Sequence, residues 1–151
     1  MKILLVGADL ELIEEVSLTL KQYQPDWQLS VISSGVQGLA LLKGNQCPDL
    51  AIIGMQLSDM SGFELIECIR DDSEIPIIFL SRDRDVNTLV KAFDAGACDY
   101  VEAPFNKATF FARIKAKLRR YKWDIRSKEN NSLNVNTQRV TCNPLPGKSE
   151  Y

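Results

Sequence analysis

An open α/β sheet, wound on both faces, is the architecture that this sequence of 151 residues predicts. Three observations carry that reading. Short apolar runs recur along the chain: ILLV at 3–6, LAII at 50–53 and PIIFL at 76–80. Each behaves like a buried parallel strand and is followed by apolar residues at helical spacing. Five such strand–helix units fit into the first 120 or so residues, which is the pattern of a doubly wound parallel sheet.

The elements follow in order. Ile3 to Val6 is the first strand, and Leu12, Ile13, Val16 and Leu20 mark one face of the helix after it. Leu29 to Ser33 is a thinner second strand, and Val36, Leu39 and Leu42 line the next helix. Leu50 to Ile53 is the third strand, running into Gly54. Ser61 and Glu64 then make an S-x-x-E capping box for the helix GFELIECIR. Pro76 to Leu80 is the fourth strand, and the helix over Val86 to Ala95 is closed by Gly96 in the C-cap position. Cys98 to Glu102 is a short fifth strand, and Asn106 caps a last helix reaching about Arg120. The short first strand and right-handed crossovers suit the flavodoxin-like order 2-1-3-4-5.

Beyond this domain of residues 1–121 the character changes. YKWDIRSKENN is polar and breaks the periodicity, so 122–131 reads as a linker. Residues 132–151 alternate at Leu133, Val135, Val140 and Cys142, as in two short strands too few to fold alone. Between Arg113 and Lys128 eight basic residues stand against one acid, Asp124. That run reads as a cationic helix end, favourable for the helix dipole, rather than a nucleic-acid contact.

Composition excludes several function classes. No apolar run approaches the ~18 residues of a membrane span, and the N-terminus turns acidic too early for a secretory signal. The four cysteines, Cys47, Cys68, Cys98 and Cys142, match neither a zinc site nor a redox dithiol. The chain has no histidine, so metal and acid–base chemistry lose their commonest ligand and base. These features predict a cytoplasmic protein with reduced thiols; that it binds no cofactor and is not an enzyme is expected from the residues at its strand ends.

In a sheet of this order the site lies where strands one, three, four and five end. Those positions are Gly7–Ala8–Asp9, Gly54, Ser81 and Glu102–Ala103–Pro104. Apart from Asp9 and Glu102 they carry no charge, which does not look like a working active site. Asp9 reads as the N-cap of the first helix, Ser81 as a local hydrogen-bonding residue and Asp59 as a turn former. Glu102 is expected to be exposed. Tyr100 fits both a core-edge tyrosine and a partner-facing switch.

The blocks KILLV, PDLAIIG with LSDMSG, IPIIFLS, AGACDYVEAPF and ARIKAKLRR together resemble a response-regulator receiver domain, over residues 2 to about 121. The last block most resembles the OmpR/PhoB branch of transcription factors. LNVNTQRVTCNPLPGKSEY resembles the opening strands of that branch's winged-helix DNA-binding domain, truncated before its first helix. The resemblance places the family's phosphate-accepting aspartate on Gly54, its Mg²⁺-holding acidic pair on Gly7 and Ala8, and its lysine on Ala103. Ser81 and Tyr100 fall on its retained switch positions. It therefore implies a pseudo-receiver with no phosphoacceptor and no metal site. Lys107, inside the last helix, is too far along to replace the lysine at 103.

In that branch the fourth helix, fifth strand and fifth helix form a symmetric dimer face. Asp99, Arg113 and Arg120 fall on matching positions, with Lys91 a weaker match, while Leu89 and Thr109 stand where an oppositely charged pair is common. The expected function is a phosphorylation-independent receiver module of a transcriptional regulator, dimerising to position a DNA-binding domain largely missing from this chain. The alternatives are a stand-alone protein-interaction module and, more remotely, a small-ligand or flavin binder using the cleft at Gly7 and Gly54. No G-x-G-x-x-G loop supports a flavin phosphate there.

Overall fold

The structure is a computed structural model that describes residues 1–45 and 47–133, with side chains described up to Tyr121. Ten elements alternate along the chain: β1 (Lys2–Val6), α1 (Leu10–Tyr23), β2 (Gln28–Ile32), α2 (Gly35–Leu42), β3 (Leu50–Gly54), α3 (Gly62–Arg70), β4 (Ile77–Ser81), α4 (Val86–Ala95), β5 (Asp99–Glu102) and α5 (Lys107–Leu133). All strand pairings are parallel and the order is β2-β1-β3-β4-β5, as the sequence predicts. The chain divides into two units, residues 1–118 and 119–151.

Period-2 alternation sorts the strand side chains onto two cores. Ile3, Leu5, Leu50, Ile52, Ile78, Leu80 and Val101 join α1 and α5 through Leu12, Val16, Phe110 and Ile114. Leu4, Val6, Ile53, Ile77 and Phe79 face the other way, onto Leu65, Ile66 and Ala92 of α3 and α4. Strands covered on both faces read as continuous apolar runs, which is why they stand out in the sequence.

Local capping signals set most helix starts. Asp9 accepts from the N–H groups of Glu11 and Leu12, Ser61 and Glu64 complete their reciprocal capping box, and Asn106 accepts from Thr109 N at 3.0 Å. Gly96, with φ of 124°, closes α4. The α5 end departs from expectation. Instead of stopping near Arg120, the helix runs through 122–131, the stretch read as a linker, to Leu133. The physical reason is visible in the residues: no Pro or Gly interrupts Lys107–Leu133, and the Lys, Arg and Glu residues of that stretch are good helix formers. Of the expected winged-helix segment 132–151, residues 132 and 133 belong to α5 rather than to a strand, and the rest lies outside the described residues, as do the side chains of the basic run beyond Tyr121. No described helix is long and apolar enough to cross a membrane. Cys47, Cys68 and Cys98 are exposed free thiols.

Candidate functional site

The register of the central strands builds the site. Val6 pairs with Ile53, so the next positions, Gly7 and Gly54, lie side by side at the carboxyl edge. A Cβ placed on Gly54 would sit 3.6 Å from the Gly7 Cα. Around them opens a cleft of about 580 Å³ that brings together Gly7, Ala8, Asp9, Gly54 and Ser81, with Met55, Gln56, Arg82 and Asp83. Glu102 and Ala103 are not among its lining residues. Ala103 is buried and donates its N–H to the Ser81 carbonyl at 2.8 Å.

One feature of the rim is not readable from the sequence. Arg82, just past β4, reaches back to α1: its Nε donates to Asp9 Oδ2 at 2.8 Å and its Nη2 to Glu11 Oε2 at 3.2 Å. Asp9 is therefore a helix cap and an ion-pair partner together. The guanidinium holds its carboxyl below the usual carboxylate range.

The β4–α4 connection is laced to itself. Ser81 is buried; its Oγ accepts from Asp83 N at 3.0 Å and donates to the Met55 thioether at 3.6 Å. The Asp83 carboxylate accepts from Asp85 N at 2.9 Å and from the Thr88 hydroxyl at 2.8 Å. Tyr100 closes the set from β5, its hydroxyl donating to the Asp83 carbonyl at 2.7 Å while its ring stacks on Phe79. Burial pushes the Tyr100 hydroxyl above its ordinary pKa; a hydrogen bond with Ser81 opposes the rise and the carboxylate of Asp83 adds to it. In this geometry Tyr100 points inward.

Other singled-out residues lie elsewhere. Asp59 acts at long range: it accepts from Ser34 Oγ at 2.8 Å, Gly35 N at 2.7 Å and Val36 N at 3.2 Å, so it caps α2 from another loop. Glu102 pairs with Arg84 at 3.4 Å on the surface. Lys107 is exposed at the start of α5. On the α4–β5–α5 side, Asp99 is nearly buried and takes its ion pairs from its own chain, Arg113 at 2.9 Å and Lys117 at 3.9 Å, while also accepting from Tyr100 N at 2.8 Å. Lys91 lies over the Phe63 ring, 4.7 Å from its centroid. Arg120 falls in the second unit. Beside Lys91, four apolar side chains of α4, Val86, Leu89, Val90 and Phe93, are left in solvent at helical spacing.

Residues 3–115 match the family model described as the response regulator receiver domain. The chain belongs to that family. It is 34% identical over 119 residues to the transcriptional regulatory protein CseB of Streptomyces avermitilis, an alignment covering 79% of this chain and 49% of CseB. It is 32% identical over 119 residues to the DNA-binding response regulator MtrA of Mycobacterium tuberculosis, covering 79% of this chain and 51% of MtrA. Among solved structures it is similar to the response regulator DrrB of Thermotoga maritima, an OmpR/PhoB homologue, at 30% identity and a TM-score of 0.67, covering 80% of this chain and 53% of DrrB. The chain thus spans about half the length of these relatives.

The receiver family implies a Mg²⁺ ion at this edge, and the residues present do not fit one. Mg²⁺ needs near-octahedral oxygens with one or two carboxylates, and the Gly7, Ala8 and Gly54 of the wall carry no side-chain oxygen. Asp9 is engaged by Arg82. Among the described residues no group of three His, Cys, Asp or Glu is placed to hold a metal.

Three hydrogen-bonded carboxylates contribute to the acid sensitivity of the fold. Arg82 lowers the pKa of Asp9, and backbone hydrogen bonds from Gly35 and Asp85 lower those of Asp59 and Asp83. A folded-state pKa below the unfolded one gives stability that is present above the unfolded pKa and lost as pH falls through the folded one. With no histidine to titrate, the melting temperature is expected to stay level from about pH 8 to 5 and to fall below about pH 4. Arg82→Gln should shrink the Asp9 share of that fall. A melting curve that drops between pH 5 and 7 would contradict this account.

Proposed function

We propose that this chain is the receiver module of a transcriptional response regulator whose output does not depend on phosphorylation. Two copies pair through α4 and the neighbouring β5–α5 surface, and the pairing positions a DNA-binding domain joined on the C-terminal side. CseB and MtrA, named as a transcriptional regulator and a DNA-binding response regulator, support the output class. The observation that carries phosphorylation independence is the cleft itself. Gly54 in its wall supplies no nucleophilic carboxylate and Asp9 is held by Arg82, while Ala103, outside the lining but bonded to the Ser81 carbonyl, supplies no ammonium. On this reading the chain catalyses nothing and needs no cofactor.

The exposed α4 side chains support pairing with a second copy. Leu89 stands beside Val86, Val90 and Phe93, so the face trades rim charges, each worth only about 0–1 kcal/mol, for apolar contact. Arg113 is a poor probe of that dimer, because reversing it strands the nearly buried Asp99 of the same chain. Leu89→Lys with Phe93→Lys is the cleaner test. Light scattering should find the same dimer fraction with and without Mg²⁺ and acetyl phosphate, and intact mass no acid-labile adduct. The double variant should weaken the dimer at least tenfold, about 1.4 kcal/mol. Dimer formation only after acetyl phosphate treatment would defeat the proposal.

A further inference from the structure

The cleft that has lost the family's chemistry is still a cavity of about 580 Å³, inside the ~300–1,000 Å³ range of small-molecule pockets. It lies at the strand edge where open α/β sheets hold ligands. We propose that it binds a neutral, largely apolar small molecule, of the size of a bicyclic aromatic, between the Gly7–Gly54 floor and the Arg82 rim.

Shape and lining carry the apolar part. The wall is built from Leu5, Leu12, Ile13, Leu80 and Met55 around the two glycines. A Cβ on Gly7 would meet nothing within 4 Å. An apolar occupant resting on that lining takes both its own surface and the wall's apolar surface out of water.

Charge carries the neutral part. Around the rim three carboxylates, Asp9, Glu11 and Asp83, stand against one guanidinium, Arg82. Arg82 is already divided between two of them, and Asp83 is held by Asp85 N and the Thr88 hydroxyl. An anion would have to displace an ion pair and then face the remaining acids. Phosphorylated cofactors are disfavoured by the same field. Gln56 completes the wall with an amide that both donates and accepts, enough to orient one polar group of a ligand.

The site also has a structural connection to α4. An occupant resting on Ser81 touches the residue that accepts from Asp83 N, and Asp83 in turn holds Thr88 in the first turn of α4. Cleft and α4 are therefore joined by two consecutive hydrogen bonds, ending on the buried Thr88. This inference does not rest on the dimer reading: binding is measured separately from association.

The test uses the full chain and two fluorescent probes: neutral N-phenyl-1-naphthylamine and the sulfonate anion 1-anilinonaphthalene-8-sulfonate. The neutral probe should bind saturably at one per chain, and the anion at least tenfold more weakly. Gly7→Leu, which fills the open floor, should weaken the neutral probe at least tenfold. Leu89→Lys with Phe93→Lys, which removes the apolar surface of α4, should leave it unchanged. Should Gly7→Leu not fold, amide shifts of the unaltered protein decide: the probe should move Gly7, Ala8, Gly54 and Ser81. Non-saturable binding, shifts confined to α4, or an anion that binds as tightly as the neutral probe would each overturn the proposal.

Discussion

Gly54→Asp alone is expected to leave the protein without a phosphoryl adduct after prolonged treatment with acetyl phosphate and Mg²⁺. Space is not the obstacle, since the nearest atoms to a new Cβ there, the Gly7 Cα and the Val6 carbonyl oxygen, are both 3.6 Å away. Electrostatics is. The incoming phosphoryl group carries charge that a metal must neutralise in the transition state, and the flanking positions are Gly7 and Ala8. The acids that line the cleft are already engaged: Asp9 is both the cap of α1 and the partner of Arg82, and Asp83 is held by Asp85 N and the Thr88 hydroxyl. No lysine stands at 103 to balance the charge. The single variant should therefore be slightly less stable than the parent or equal to it, with an unchanged mass.

Adding Gly7→Asp, Ala8→Asp and Ala103→Lys to Gly54→Asp supplies a nucleophile, two metal ligands and a counter-charge at the ends of β1, β3 and β5. That quadruple variant should bind Mg²⁺, seen as a rise in melting temperature, and should gain an acid-labile phosphate. The contrast between one substitution and four is the informative measurement. Phosphorylation of the single variant at the rate of the quadruple would mean that other oxygens hold the metal. Asp9 would then have exchanged Arg82 for the ion.

What could be read from the sequence, and what could not, divides by the range of the interaction. The strands and most helix boundaries come from local signals. The Ser61–Glu64 box and the Asp9 and Asn106 caps are all decided within three or four residues. Right-handed parallel crossovers only narrow the strand order, and the flavodoxin-like order is one of the few they leave. The functional edge needed the register as well, which puts Gly7 beside Gly54. Contacts between distant residues left no such trace. Arg82 and Asp9 are 73 positions apart, and Asp59 caps α2 from 25 positions away. Arg70 binds the carbonyls of Gly96, Ser73 and Ile75, and nothing in GFELIECIR announces it. The length of α5 was misjudged for a different reason. Polarity after Arg120 signals a loss of buried face, not a loss of helix, and only Pro or Gly would have argued for a break.

The second large effect is expected from the smallest side chain. Gly62→Ala should lower the melting temperature by roughly 10 °C or more, although the substitution adds a single methyl at a helix start. Gly62 is the first residue of α3, and its N–H donates to the Met55 carbonyl at 2.8 Å. That bond draws the helix onto the end of β3. A Cβ at 62 would collide with the Gly54 carbonyl oxygen and press on the Phe79 ring at 3.1 Å. A flexible side chain could swing aside, but a strand carbonyl cannot, and Phe79 is fully buried in the stack with Phe63 and Tyr100. Overpacking of this kind typically costs about 1–3 kcal/mol, and a rigid backbone obstacle places it at the upper end. Gly7→Ala is the matched control, because the same methyl meets nothing within 4 Å there. Gly7 also lacks the positive φ found at Gly96 among the described glycines. Restricting the unfolded chain should make that variant neutral or more stable by about 0.4–1 kcal/mol. Thermal melts of the two variants side by side make the comparison. If Gly62→Ala melts within about 3 °C of the parent, α3 does not start against the β3 edge as described. The floor of the cleft would then have to be redrawn.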